Sequence, residues 1–81
     1  KNLFKKLSAG DQGKLVEILQ VSLKEIGYGV NINSIYDSET KLVVKAFQRR
    51  FRNRMIDGIV DEETGKLITC LKMLTINDTN T

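Results

Sequence analysis

The stretch DSETKLVVKAFQRRF, Asp37 to Phe51, decides the fold. Its apolar residues Val43, Val44, Ala46, Phe47 and Phe51 recur at i, i+1, i+3, i+4 and i+8, which gathers them on one side of a helix. Asp37 stands where a helix N-cap belongs, so its carboxylate can take first-turn N–H groups that have no partner. Glu39 suits the positive end of the helix dipole.

The same spacing occurs upstream in Leu15, Val16, Ile18, Leu19 and Leu23, and downstream in Leu67, Ile68, Cys70 and Leu71. The start is repeated as well: Asp37-Ser38-Glu39-Thr40 matches Asp61-Glu62-Glu63-Thr64. The pattern predicts helices near 11–26, 38–52 and 62–74. Ile35 and Ile59, two residues before each cap, are expected to fold back onto the core. Gly27 ends the first helix by allowing a left-handed residue. Val30 and Ile32 alternate with polar neighbours, so a short extended stretch is open to residues 28–36, and Asp57-Gly58 marks a turn.

The expected fold class is therefore all-α: an orthogonal three-helix bundle with two related loop–helix units and at most very short strands in loops. The expected core is Leu15, Leu19, Leu23, Ile26, Val43, Val44, Phe47, Phe51, Leu67, Ile68 and Leu71. Residues 1–10 are expected to be a linker, an N-terminal extension or one helical turn, 11–75 the domain, and 76–81 a flexible tail.

Composition narrows the function. An 81-residue chain, 41% hydrophobic, holds one small domain. Its net charge of +3 is mildly basic and suits an anionic polymer, but it does not choose among polymers. There is one Cys, so no internal disulfide, and Cys70 is expected to be a small buried thiol. There is no His, which removes Ser-His-Asp and Cys-His catalysis and the usual zinc ligand. No phosphate-binding Gly loop is present, and no cofactor is expected. The acid pairs Asp57/Asp61 and Glu62/Glu63 are read as turn and capping groups rather than a glycosidase site. No apolar run approaches a membrane span, and no leader is visible. The chain opens on Lys1 rather than Met and is expected to be a fragment.

Arg49, Arg50, Arg52 and Arg54 form a basic cluster, and Lys41, Lys45, Arg49 and Arg52 would make one ridge of the second helix. The ridge reads either as a solvated face, as a patch for an anionic or polar polymer, or as a phosphate contact in a small nucleic-acid-binding bundle. Base-reading residues toward the helix start are missing, which disfavours the last. Tyr28 and Tyr36 flank the loop after the first helix; each can stack on a sugar ring or plug the core. Gln20 and Gln48 are twinned, each directly after Leu19 or Phe47, which suggests that they bond loop backbone.

Taken in order, Leu19-Gln20, Leu23, Gly27-Tyr28, Thr40, Phe47-Gln48, Asp57-Gly58, Thr64 and Leu67 resemble the peptidoglycan-binding domain family, a three-helix bacterial wall-binding module. The match spans about 15–74. The run Ala46 to Arg52, with Asp57-Gly58 and Asp61 to Thr64, is similar to the C-terminal domain of zinc-dependent 1,6-anhydro-N-acetylmuramoyl-L-alanine amidases. Two departures stand out. Asn33-Ser34 replaces an Asp-Gly turn before the second helix, and Asp37 and Asp61 replace glycines ahead of each Thr.

The resemblance implies a non-catalytic module that targets a tethered amidase or other wall hydrolase to peptidoglycan in the cell envelope or periplasm. Its implied partners are peptidoglycan and its own catalytic domain, with no membrane span and no nucleic acid. The alternatives are a domain that only packs on the catalytic domain, or a small basic nucleic-acid-binding bundle. If a ligand binds, the candidate contacts are Tyr28, Asn31, Tyr36, Arg49, Arg52 and Arg54; no catalytic or metal-binding residue is expected.

Overall fold

The three apolar stripes become three helices in the computed structural model, which describes residues 6–79 and side chains as far as residue 74. They are α1 (Lys14–Ile26), α2 (Ser38–Phe51) and α3 (Glu62–Thr79). Among the described residues, β pairing is limited to two isolated antiparallel bridges, Leu7 with Val60 and Gln12 with Ile35. The fold is an all-α three-helix bundle.

Each helix end has a cause. α1 starts at Lys14, three residues later than its spacing predicts, because residues 10–13 are bonded elsewhere. Gly10 N–H donates to Tyr36 O, Tyr36 N–H to Asp11 O and Gly13 N–H to Ser34 O, at 2.8–3.0 Å. At the other end Gly27 takes φ 124°. Its N–H reaches Lys24 O, and the N–H of Tyr28 reaches Leu23 O at 2.9 Å. This is the paired closure that a left-handed glycine allows, and it aims Tyr28 back at the bundle. α2 and α3 begin on Asp37 and Asp61, whose Oδ1 atoms accept from Thr40 N–H and Thr64 N–H at 2.9 Å. α2 stops at Phe51, because Arg52 leaves helical geometry at φ −148°, ψ 67°.

The segment before α1 belongs to the packed unit. Leu7 exchanges both backbone hydrogen bonds with Val60 at 2.9–3.0 Å and is buried in the core. Residues 7–13 therefore lace the loop before α2 to the loop before α3; of the expected linker, N-terminal extension or helical turn over residues 1–10, the described part is non-helical chain packed on the domain. Residues 1–5 lie outside the described chain. The helix continues through residues 76–79, where a frayed tail was expected; residues 80–81 lie outside the described chain.

The core holds Leu7, Val16, Leu19, Leu23, Val30, Tyr36, Val44, Phe47, Val60 and Ile68. Leu15, Ile26, Val43, Phe51, Leu67 and Leu71, all expected inside, are partly buried against it. Phe47 sits edge-on to Tyr28, with ring centres 6.1 Å apart, and 4.8 Å from Phe51. α1 packs chiefly on α3. The radius of gyration, 11.7 Å, is what a well-packed chain of this length should have.

Two expectations fail for geometric reasons. Ile35 does not fold back: it is 47% exposed, and Tyr36 points inward instead. In extended chain, neighbouring side chains face opposite sides, so a one-residue error in register swaps inside for outside. Val60 repeats the choice at the second loop, fully buried beside a half-buried Ile59. Cys70 is exposed, not buried. It lies two residues from the buried Ile68, about 200° round the helix at about 100° per residue.

Candidate functional site: a groove lined by arginines

The surface is shaped by two loops that fold on one plan. Gln20 is fully buried; its Oε1 accepts from Asn33 N–H and Ser34 N–H at 2.9 Å. Its Nε2 donates to Asn33 Oδ1, Ile35 O and Thr40 Oγ1 at 2.9–3.0 Å. Gln48, also fully buried, repeats this partner for partner. Oε1 accepts from Asp57 and Gly58 N–H, and Nε2 donates to Asp57 Oδ1, Ile59 O and Thr64 Oγ1. Asn33 and Asp57 each also accept from the N–H two residues on. The twinned glutamines thus fasten loop backbone, as expected.

The circuits set the ionisation of the caps. The Thr40 N–H, with help from Asn33 and the Thr40 hydroxyl, holds the Asp37 carboxyl below its ordinary range. At Asp61 burial opposes ionisation, but bonds from Thr64 and Arg52 outweigh it and the shift is again downward. One difference between the loops falls where the backbone is left-handed. Gly58 has φ 74°, and its counterpart Ser34 has φ 65°. A non-glycine residue there costs about 1–2 kcal/mol, which Gln20 and its partners hold in place.

The second loop and the end of α2 carry all four arginines of the chain. Arg52 is turned inward, its side chain 5% exposed, with Nη1 2.7 Å from Asp61 Oδ2. Its Nη2 lies 3.7 Å from Asp57 Oδ1. Glu63 Oε1 sits 2.6 Å from Arg54 Nη2 and 3.6 Å from Arg52 Nη1. Arg50 stays exposed and lays its guanidinium 5.3 Å from the centre of the Phe51 ring.

Two open depressions meet over these residues. One, of about 380 Å³, is lined by Ile26, Gly27, Tyr28, Arg50, Phe51 and Leu71. The other, of about 350 Å³, is lined by Arg50, Phe51, Arg52, Asn53, Arg54 and Glu63. Arg50 and Phe51 belong to both, so together they form one groove with an apolar end and a guanidinium end. The arrangement offers many donors, an aromatic surface and few acceptors, which suits a ligand rich in acceptors. Among the described residues no cluster of three or more His, Cys, Asp or Glu could hold a metal ion. No described helix is long and apolar enough to cross a membrane.

The groove gathers three of the six candidate contacts, Tyr28, Arg52 and Arg54. Tyr36 is buried, 1% exposed, and its hydroxyl donates to Gly58 O at 2.6 Å. Burial, then Asp57 and Asp11, pushes its phenol pKa up, so the hydroxyl remains a donor. Asn31 is exposed but belongs to the other end of α2, where its N–H reaches Glu39 Oε1 at 3.2 Å. Glu39 and Arg50 are about 17 Å apart along a helix that rises 1.5 Å per residue. Arg49 is exposed and lines neither depression. The expected Lys41–Lys45–Arg49–Arg52 ridge is broken, because Arg52 leaves the helix and Lys41 and Lys45 lie against Gly58. Arg50, Phe51 and Glu63 were not among the candidates; the sign they left was an Arg-Phe pair one turn after the central Phe47.

The family model described as "Putative peptidoglycan binding domain" matches residues 12–68. The chain belongs to the peptidoglycan-binding domain family. A curated relative, the carboxy-terminal processing protease CtpA of Bacillus subtilis (strain 168), is 38% identical over 76 residues; that covers 93% of this chain and 16% of the protease. The chain thus spans about a sixth of that relative. A Burkholderia AP3 phage endolysin structure superposes with a TM-score of 0.73 at 34% identity, covering 82% of this chain and 25% of the endolysin. A fused zinc-dependent amidase/peptidase/peptidoglycan-binding domain protein of Clostridium acetobutylicum gives a TM-score of 0.74 at 28% identity, with 84% and 29% covered.

Proposed function

We propose that this chain is a non-catalytic module that binds peptidoglycan through the arginine-lined groove and holds an attached hydrolase at the bacterial wall. The observation that carries the reading is the groove itself: an open, preformed, donor-rich trough on a member of a peptidoglycan-binding family. The relatives belong to different catalytic classes, a protease, an endolysin and a fused amidase, and share with this chain only a minor part of their length. That pattern fits a module whose contribution is tethering, which raises local substrate concentration without adding catalytic groups. An amidase partner, expected from the sequence, and a processing protease both remain within the proposal. The corresponding location is outside the cytoplasm, at the wall.

A second reading has its own support. Cys70, Met73 and Leu74 form an exposed strip on α3 at i, i+3 and i+4, with Met73 57% and Leu74 54% exposed. Such a strip suits packing on a catalytic domain. Co-sedimentation with insoluble peptidoglycan sacculi, at low and near-physiological salt with duplex DNA assayed in parallel, separates the readings. The wall-binding reading expects retention at both salts, weaker at the higher, and little DNA binding. Failure to sediment at either salt would leave the packing role. Tight, steeply salt-dependent binding to DNA would favour a nucleic-acid module.

A further inference from the structure

Peptidoglycan offers two chemistries, a glycan strand and short acidic peptides attached to it. The groove discriminates between them. Its polar lining is dominated by donors: the guanidinium groups of Arg50, Arg52 and Arg54 and the amide of Asn53. A guanidinium has five N–H donors and no acceptor, whereas a sugar hydroxyl both gives and takes hydrogen bonds. The natural complement of such a lining is a carboxylate. In the glycan the lactyl carboxyl is consumed in the amide bond to the peptide, so free carboxylates belong to the peptide.

Two details locate the charge. First, Glu63 places one of the protein's own carboxylate oxygens between Arg54, at 2.6 Å, and Arg52, at 3.6 Å. Second, the binding capacity of the arginines is not used up. The Arg54 side chain is 75% exposed, so its guanidinium is open to a ligand. Among the described residues Arg50 has no carboxylate partner and touches only a ring face. Beyond Arg50 the groove runs onto the apolar surface of Tyr28, Phe51, Ile26 and Leu71, which can receive an aliphatic side chain.

Building on the wall-binding reading, we infer that the groove takes the acidic peptide of peptidoglycan rather than its glycan. A peptide carboxylate is received by Arg50 and Arg54, with Glu63 as the internal carboxylate it competes against. The neighbouring side chain of the peptide lies on Tyr28 and Phe51.

The test uses the intact chain and two ligands from one peptidoglycan preparation: the released peptides, and glycan strands stripped of peptide whose newly freed lactyl carboxylates are capped as neutral amides. Titration calorimetry should show binding of the peptides and none of the stripped glycan. Amidating the peptide carboxylates should abolish binding. Arg50→Ala should weaken peptide binding at least tenfold and Arg50→Lys less, since a point charge cannot form the forked pair. Glu63→Gln should tighten binding severalfold by removing the competing charge. Arg50 is exposed, so its variants should fold, and circular dichroism checks this. Stripped glycan bound as tightly as intact sacculi, with no response to Arg50→Ala or amidation, would overturn the peptide assignment and leave wall binding standing. If sacculi, peptides and glycan all go unbound, the wall-binding reading falls and takes this inference with it.

Discussion

Replacing Gln48 with Leu is expected to destabilise the domain by about 3–5 kcal/mol. Gln48 is fully buried, and one amide group serves five partners. Leucine fills a similar volume, so little of the loss is cavity. What is lost is the acceptor shared by the N–H groups of Asp57 and Gly58, and the donor that reaches Ile59 O, Asp57 Oδ1 and Thr64 Oγ1. A buried backbone group left without a partner costs about 1–3 kcal/mol. The side of the loop at Asp57 is half-exposed, so water can recover part of that. A domain of this length has a total stability of only about 4–12 kcal/mol, so the variant should unfold at much lower urea concentration. Urea denaturation followed by circular dichroism measures this as a fall in midpoint at unchanged slope. A loss below about 1 kcal/mol would show that the loop holds itself without the glutamine.

Tyr36 supplies the second large effect. Tyr36→Ala removes a fully buried ring and is expected to cost about 3–5 kcal/mol, as large-to-small core changes do. Tyr36→Phe loses only the hydroxyl bond to Gly58 O and should cost about 1–2 kcal/mol. The pair separates core from contact. The Tyr36 ring and hydroxyl face the interior, so folded Tyr36→Phe should sediment with sacculi like the wild type. Tyr36→Ala should lose binding only to the extent that it unfolds. A folded Tyr36→Phe protein that no longer sediments would place the hydroxyl in the ligand site.

What could be read from the sequence follows from range. The helices and caps are local: a 3.6-residue stripe ahead of Phe47, with Asp37 and Asp61 at the entries, states them outright. The role of Gln20 and Gln48 was legible because the repeat printed it twice. The misses are failures of parity and of distance. Ile35 and Tyr36 are both apolar enough to be inside, and only the pairing of residues 10–13 with 34–36 settles which one is. Cys70 fits a helical stripe by spacing yet falls on its far side. Arg52 extends a basic ridge only while the helix continues, and the helix stops one residue before it. Leu7 enters the core through a contact with Val60, far along the chain, that no local pattern signals. The groove unites the end of α1 with the end of α2 and with Glu63 and Leu71 of α3, so its membership is a tertiary fact. Tyr28 and Arg54 were nameable as types suited to binding; Arg50 and Phe51 became site residues only once Gly27 had turned Tyr28 toward them.

The central claim is that the groove is where the wall is held. Amide chemical-shift mapping of the labelled domain, titrated with soluble peptidoglycan fragments that keep their peptides, tests it most directly. The account predicts shifts clustered at Gly27, Tyr28, Arg50, Phe51, Asn53 and Arg54, with Asn31 and the exposed α3 strip of Cys70, Met73 and Leu74 unmoved. Shifts concentrated on that α3 strip, or none at saturating ligand, would contradict it.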